Sequence, residues 1–350
     1  MKYKLSLIIL LCMISFTCFS CDHDEFFIED DIINLNDSIF HGSEKSSNND
    51  TISGNTTKTD TTHINNNSLQ ENNSYNIDNL FTKNDNDTLI YVSEITKYMR
   101  QYSGGQGAAC YEDYLFHFQD HNAAVSIYNL AEMGFIKKIV LTPNSNNHCN
   151  QASFSNIFYS VEDKFPLLYV SGSRTGTYNQ VQVYRITDDS DSLKIEQIQE
   201  IILPPKTKYN YISWTCILLD NDSNYLYAYS NATSKLIKFN IPNYQERTVN
   251  LEDEDILEII PIENIPHQQG GTIKNGIFYM IYGVPQWGDQ VWLRLFNLET
   301  KKEIIRYNLS EKDFKGEPES LFFYKNELYA ITNGTGIFKI IFQKSFLQTQ

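Results

Sequence analysis

The sequence predicts an all-β domain made of five copies of one four-stranded unit, and three observations carry that prediction. From residue 89 onward short alternating apolar runs recur between Gly, Asn and Asp turn residues, and no long segment has a 3.6-residue period. An aromatic residue then returns at a fixed place in a strand: Phe116, Tyr169, Tyr227, Tyr279 and Tyr329 are 53, 58, 52 and 50 residues apart. Composition agrees, since the 350 residues include 23 Tyr and 21 Phe, which favour pleated, half-buried surfaces. Four antiparallel strands in a unit of roughly 50 residues is the pattern of a β-propeller blade.

The strands can be placed in order. The aromatic marks lie in the second strand of each unit, as in Tyr114-Leu115-Phe116 and Leu167-Leu168-Tyr169. A third strand follows with one pattern, Ile127-Tyr128-Asn129-Leu130, Val183-Tyr184-Arg185-Ile186, Lys238-Phe239-Asn240-Ile241 and Leu295-Phe296-Asn297-Leu298; the fifth unit departs, reading Gly336-Ile337-Phe338-Lys339-Ile340. A fourth strand follows the first four copies, for example at 136–141 and 303–309. The last unit ends near Lys344 without one, while residues 89–95 read as a strand with no partner. Pairing the two closes the ring and removes the exposed edges of an open array. The domain then runs over 89–344 as five blades, with a tail at 345–350. Six blades is the rival count and a β-sandwich is third, disfavoured because sandwiches impose no regular period.

The start of each innermost strand carries a polar residue followed by a small one: Gln106-Gly107, Gln151-Ala152, Gln269-Gly270 and Glu319-Ser320, with Trp214-Thr215 the nearest match in unit three. Five strands converging on a narrow axis need the small residue. The polar one is expected at the channel mouth, so Gln106, Gln151, Gln269 and Glu319 form a partial ring, with Asn150 and His148 beside the second member and Glu317 near the last. Such amides either bind a ligand or bond to neighbouring blades and trapped water.

These strand starts resemble those of β-propeller lipoproteins of unassigned function in bacteria, and more loosely those of NHL-type and glutaminyl cyclotransferase-like propellers. The resemblance covers about 89–344 and concerns the fold, which hosts many functions. No cyclotransferase residue matches position by position.

The chain begins with Lys2 and Lys4, then an apolar run over 5–16 ending at Cys18-Phe19-Ser20-Cys21. This resembles a bacterial lipobox, with Ser20 the small residue before the cut and Cys21 the residue that is acylated, for example with palmitate. A secretory signal cleaved near Ser20 is the alternative. Residues 21–88 read as a disordered tether, because 26 of the 48 residues over 41–88 are Asn, Ser or Thr and few are apolar. Acidic residues from Asp22 to Asp31 resemble a signal for display on the cell surface. The expected protein is therefore exported and lipid-anchored in the bacterial cell envelope.

The formal net charge is −15, but residues 21–88 carry −11 of it and 89–350 only −6. Nucleic acid is excluded as a main partner, since phosphate binding needs clustered Lys and Arg. No His-Glu-x-x-His, Gly-x-Ser-x-Gly or phosphate loop occurs. His117 and His121 are four apart on a strand and turn and do not share a face. No cofactor is predicted, although Glu317 with Glu319, or Asp188-Asp189-Ser190-Asp191, have the oxygen ligands that Ca²⁺ takes. Cys110, Cys149 and Cys216 leave a disulfide undecided and an odd thiol certain. Two functions follow. One is a tethered binding or scaffold module for a glycan, peptide or protein, with Trp214 as an aromatic anchor. The other is a hydrolase, lyase or cyclotransferase using Glu319 as acid or base, assisted by Glu317 and His148. The absence of a chemical motif favours the first.

Overall fold

A computed structural model describes residues 88–94, 105–119, 124–141, 148–172, 179–189, 192–204, 216–230, 234–263, 267–333 and 336–344. The expectations for residues 1–87, including Cys21 and the tether, lie outside these, as do those for Trp214, Thr215, His121, Ser190 and Asp191. No helix among the described residues is long and apolar enough to cross a membrane.

The described residues form five sheets, one per blade. Blade 1 is β2 (Gly105–Tyr111), β3 (Tyr114–Gln119), β4 (Ala124–Asn129) and β5 (Gly134–Val140). Blade 2 is β6 (Ala152–Phe154), β7 (Leu168–Ser171), β8 (Gln180–Asp189) and β9 (Ser192–Ile202). Blade 3 is β10 (Cys216–Asp220), β11 (Tyr225–Ser230), β12 (Lys235–Asn240) and β14 (Glu258–Pro261). Blade 4 is β15 (Gln268–Lys274), β16 (Ile277–Tyr282), β17 (Trp292–Asn297) and β18 (Lys302–Asn308). Blade 5 is β19 (Pro318–Tyr324), β20 (Glu327–Thr332) and β21 (Gly336–Lys344), completed by β1 (Thr88–Glu94), which pairs antiparallel with β21 from Thr88 opposite Lys344 to Glu94 opposite Phe338. The molecule is a five-bladed propeller closed by its N-terminal strand, and a six-blade count is excluded.

Turn chemistry sets the hairpins. Asn275 and Gly276 take φ of 52° and 69°, and Lys325 and Asn326 take 49° and 64°. Both pairs thus have the left-handed backbone that two-residue hairpin loops require.

The core explains the repeat. Five buried clusters sit one between each pair of neighbouring blades. Strand side chains alternate between faces, so each blade feeds both neighbours: Leu115 packs towards blade 5 and Phe116 towards blade 2. The periodic aromatics all serve the same face. Phe116, Tyr169, Tyr227 and Tyr329 are buried between their own blade and a neighbour, and Tyr279 packs against the blade 4–blade 5 cluster.

One strand departs from four per blade. β13 (Thr248–Asn250) comes from the connection between β12 and β14 of blade 3 but pairs parallel with β9 of blade 2. The buried Gln199 amide donates to the carbonyls of Asn243 (2.6 Å) and Glu246 (2.9 Å), which fastens this strap. It covers the outer edge of blade 2.

Candidate functional site

The inner strands β2, β6, β10, β15 and β19 surround the axis, and the four polar-small pairs among the described residues sit at the mouth where β2, β6, β15 and β19 begin. Three of the strands carry a β-bulge at that place, the register shifting between Gly105 and Ala108, between Gln268 and Gly270, and between Pro318 and Ser320. The extra residue is Gln269 in β15 and Glu319 in β19. A bulge takes its extra residue out of the ladder and re-aims it, so the polar position of the motif is a backbone feature as well as a side-chain one.

The small residues are where blades touch. A Cβ on Gly107 would lie 2.5 Å from the Cys149 carbonyl oxygen and 2.7 Å from Gln151 Cα, and one on Gly270 would lie 2.7 Å from both the Glu319 carbonyl oxygen and Ser320 Cα. Gly107 N–H donates to the Cys149 carbonyl at 2.8 Å, joining blades 1 and 2.

The four polar residues do not form an equivalent ring. Gln151 is 1% exposed and lies across the axis. Its Oε1 accepts from Gly271 N–H of blade 4 at 3.3 Å, and its Nε2 donates to the Ala152 carbonyl at 3.0 Å. The Ser320 hydroxyl of blade 5 lies 3.4 Å from Gln151 Oε1 and 3.2 Å from the Ala108 carbonyl of blade 1, and its one proton serves either. One amide thus ties blade 2 to blades 4 and 5. Gln106 and Glu319 are also buried, Glu319 at 2% exposure. His148 and Asn150 are half-buried on either side of Cys149, at the seam of blades 1 and 2.

Gln269 and Glu317 are brought together, at the seam of blades 4 and 5. Glu317 Oε1 accepts from Gln269 Nε2 at 2.8 Å, and Oε2 accepts from Gln286 Nε2. Gln286 belongs to the short turn Pro285–Trp287 between β16 and β17, closed by Gly288 at φ 90°. Trp287 in the same turn is 59% exposed. Its ring meets that of His267 edge-on, with centroids 4.8 Å apart. His267 Nδ1 lies 2.5 Å from Asp289 Oδ2, which also accepts Val284 N–H at 3.0 Å. Burial works to raise the Asp289 carboxyl, but the His267 and Val284 bonds outweigh it and hold the group below its ordinary range. The exposed indole thus meets the imidazole of the His267–Asp289 pair, and its chain neighbour Gln286 bonds the Glu317 carboxylate. His267, Gln286 and Asp289 escape sequence reasoning because a loop, not a strand period, gathers them. The Pro-Gln-Trp-Gly turn at 285–288 is the one local sign.

Other groups are chemically quiet. Cys110, Cys149 and Cys216 are unbridged, and burial pushes the Cys110 and Cys216 thiols up to about 12, so neither is a thiolate at neutral pH. Among the described residues no group of three or more His, Cys, Asp or Glu is placed to hold a metal ion.

No family model matches the sequence, and no curated protein matches it either. Solved structures do resemble it in fold. Glutaminyl cyclase of Myxococcus xanthus is 9% identical with a TM-score of 0.46, over 73% of this chain and 98% of that one. A catalytically inactive virginiamycin B lyase of Staphylococcus aureus with quinupristin is 12% identical with a TM-score of 0.40, over 72% and 99%. A chain of a nidogen/laminin complex is 10% identical with a TM-score of 0.38, over 66% and 72%. These similarities concern the β-propeller fold alone.

Proposed function

We propose that this propeller is a binding module that takes a glycan at the channel mouth, over the seam of blades 4 and 5, and that a lipid anchor on Cys21 and the 21–88 tether present it from the bacterial cell envelope. One observation carries the reading: Trp287 is 59% exposed, its ring meets His267, and its chain neighbour Gln286 bonds the Glu317 carboxylate that also accepts from Gln269. An exposed indole offers an apolar face for a sugar ring, and the Glu317 carboxylate with the Gln269 and Gln286 amides offers acceptors and donors that match hydroxyl groups.

The test uses the purified full-length chain in non-ionic detergent on glycan and peptide arrays. Wild type is expected to retain a defined set of glycans, and Trp287→Ala to bind them at least about tenfold more weakly with an unchanged melting temperature. Binding to peptides alone, or to nothing while the fold is intact, overturns the reading. Incorporation of labelled palmitate in wild type and its loss in Cys21→Ala tests the anchor.

A further inference from the structure

The channel opens differently at its other end. There the C-terminal halves of all five inner strands enclose a cavity of about 480 Å³, lined by residues 108–111, 152–154, 219, 272–274 and 321–323 together with the adjoining turns. That volume lies within the range of roughly 300–1,000 Å³ typical of small-molecule sites. β15 separates the two mouths, since His267 precedes it and Lys274 ends it; seven residues of strand span roughly 20 Å.

The lining has one cation and one anion. Lys274 is half-buried at the rim. Its ammonium donates to the neutral Asn326 Oδ1 at 2.7 Å and stands 4.6 Å above the centre of the Phe323 ring. Burial lowers its pKa, and Asp222 opposes this through space. Asp222 itself is engaged by the fold, its Oδ2 accepting Asn275 N–H at 2.8 Å. Among the described residues Lys274 makes no direct ion pair, and the Phe323 ring beneath its ammonium lines the same cavity. Deeper in, Ser153 and Thr272 line the wall, and among the described residues neither hydroxyl is committed to a hydrogen bond. On one side Tyr111 and Phe158 form an aromatic shelf, their rings 6.4 Å apart and edge-on, with Phe158 38% exposed.

We propose that this far-mouth cavity is a second binding site, for a small monocarboxylate whose anionic head meets Lys274 and whose body lies against the Tyr111–Phe158 shelf. A single ammonium compensates a single negative charge. A dianion such as phosphate would leave one charge without a partner in a half-buried place already facing Asp222. The two uncommitted hydroxyls supply donors and acceptors for the polar edge of the body. A uronic acid sugar and a short peptide with a free C-terminal carboxylate share this chemistry. The site is independent of the reading of the Trp287 mouth.

Titration calorimetry of the full-length chain separates these sources. The probes are a glucuronate-containing disaccharide with its methyl ester, and the dipeptide Ala-Phe with its C-terminal amide. At least one acid is expected to bind, its neutral counterpart at least tenfold more weakly. Lys274→Met should lose at least tenfold in affinity and Lys274→Arg should retain binding. If Lys274→Met does not fold, Lys274→Gln carries the same expectation. Trp287→Ala lies at the opposite mouth and should leave this binding unchanged, so failure at one mouth is distinguishable from failure at the other. No binding of either acid to the folded chain, equal binding of acid and neutral forms, or wild-type affinity in both neutral Lys274 variants overturns the proposal.

Discussion

His117 is 8% exposed, and its Nε2 is buried with no hydrogen-bond partner among the described residues. The Cε1–Nε2 edge of its ring lies against Gly105, where a Cβ would come within 2.0 Å of it. Burial disfavours the imidazolium and pulls the pKa down to about 4, against about 6.5 for an exposed histidine. The unfolded chain therefore binds this proton more readily than the folded one. Stability is unaffected by His117 above pH 6.5 and falls as the pH drops from there towards 4. The full shift corresponds to about 3 kcal/mol. His117→Leu removes this titration. Denaturant unfolding at pH 7 and pH 4.5 is expected to show a smaller drop for the variant than for wild type, by about 2 kcal/mol. Equal drops would show that the ring is solvated in the folded state. His117 lies in β3, the strand on which the sequence places it.

At the level of elements, β17 and β18 are joined by more than their ladder. Arg294 of β17 is 3% exposed and stands directly opposite Arg306 of β18. Carboxylates on both sides offset the like charges. Arg294 Nε donates to Glu303, and its other nitrogens reach the Glu263 carbonyl and carboxylate at 3.3 Å. Arg306 donates to Glu303 at 3.0–3.1 Å and to Glu263 at 2.6 Å. Glu263 follows β14, so the network clasps blade 3 to blade 4. Removing one partner of a buried charge costs more than the pair contributes, because the other charge is stranded. Glu303→Gln is expected to destabilise by about 2–3 kcal/mol, at or below the foot of the usual range of about 3–5 kcal/mol because Glu263 still serves both guanidiniums. Chemical denaturation of wild type and variant measures it, and a change below about 0.5 kcal/mol would place the network among ordinary surface pairs.

For the whole molecule, closure is the decisive contact. β1 and β21 pair over seven positions although about 250 residues separate them, so no local interaction can substitute. Without β1 the last blade exposes the long edge of β21 to other chains. A chain starting at residue 96 is expected to melt about 10 °C lower than one starting at residue 81, a shift equivalent to about 3 kcal/mol in a domain of this size. It should also elute as aggregates in size-exclusion chromatography. Equal melting of the two chains would mean that the five clusters between blades hold the ring without the β1–β21 ladder.

The blade count, the strand order and the closing strand were legible in the sequence because each follows from a repeat. Phe116, Tyr169, Tyr227, Tyr279 and Tyr329 recur since every blade must place the same ring against a neighbour. Gln269 could be nominated for a similar reason, from the polar-small pair that begins an inner strand, and Glu317 from its place two residues before Glu319-Ser320. What that pair does at each position was decided by packing across the axis. Gln151 and Gln269 look alike in sequence, but one ties blade 2 to blades 4 and 5 in the interior and the other bonds Glu317 across the seam of blades 4 and 5. The His267–Asp289 pair, the β13 strap and the Lys274 cavity have no period to betray them. They join residues from loops or from different blades, and such proximity exists only once the chain has folded.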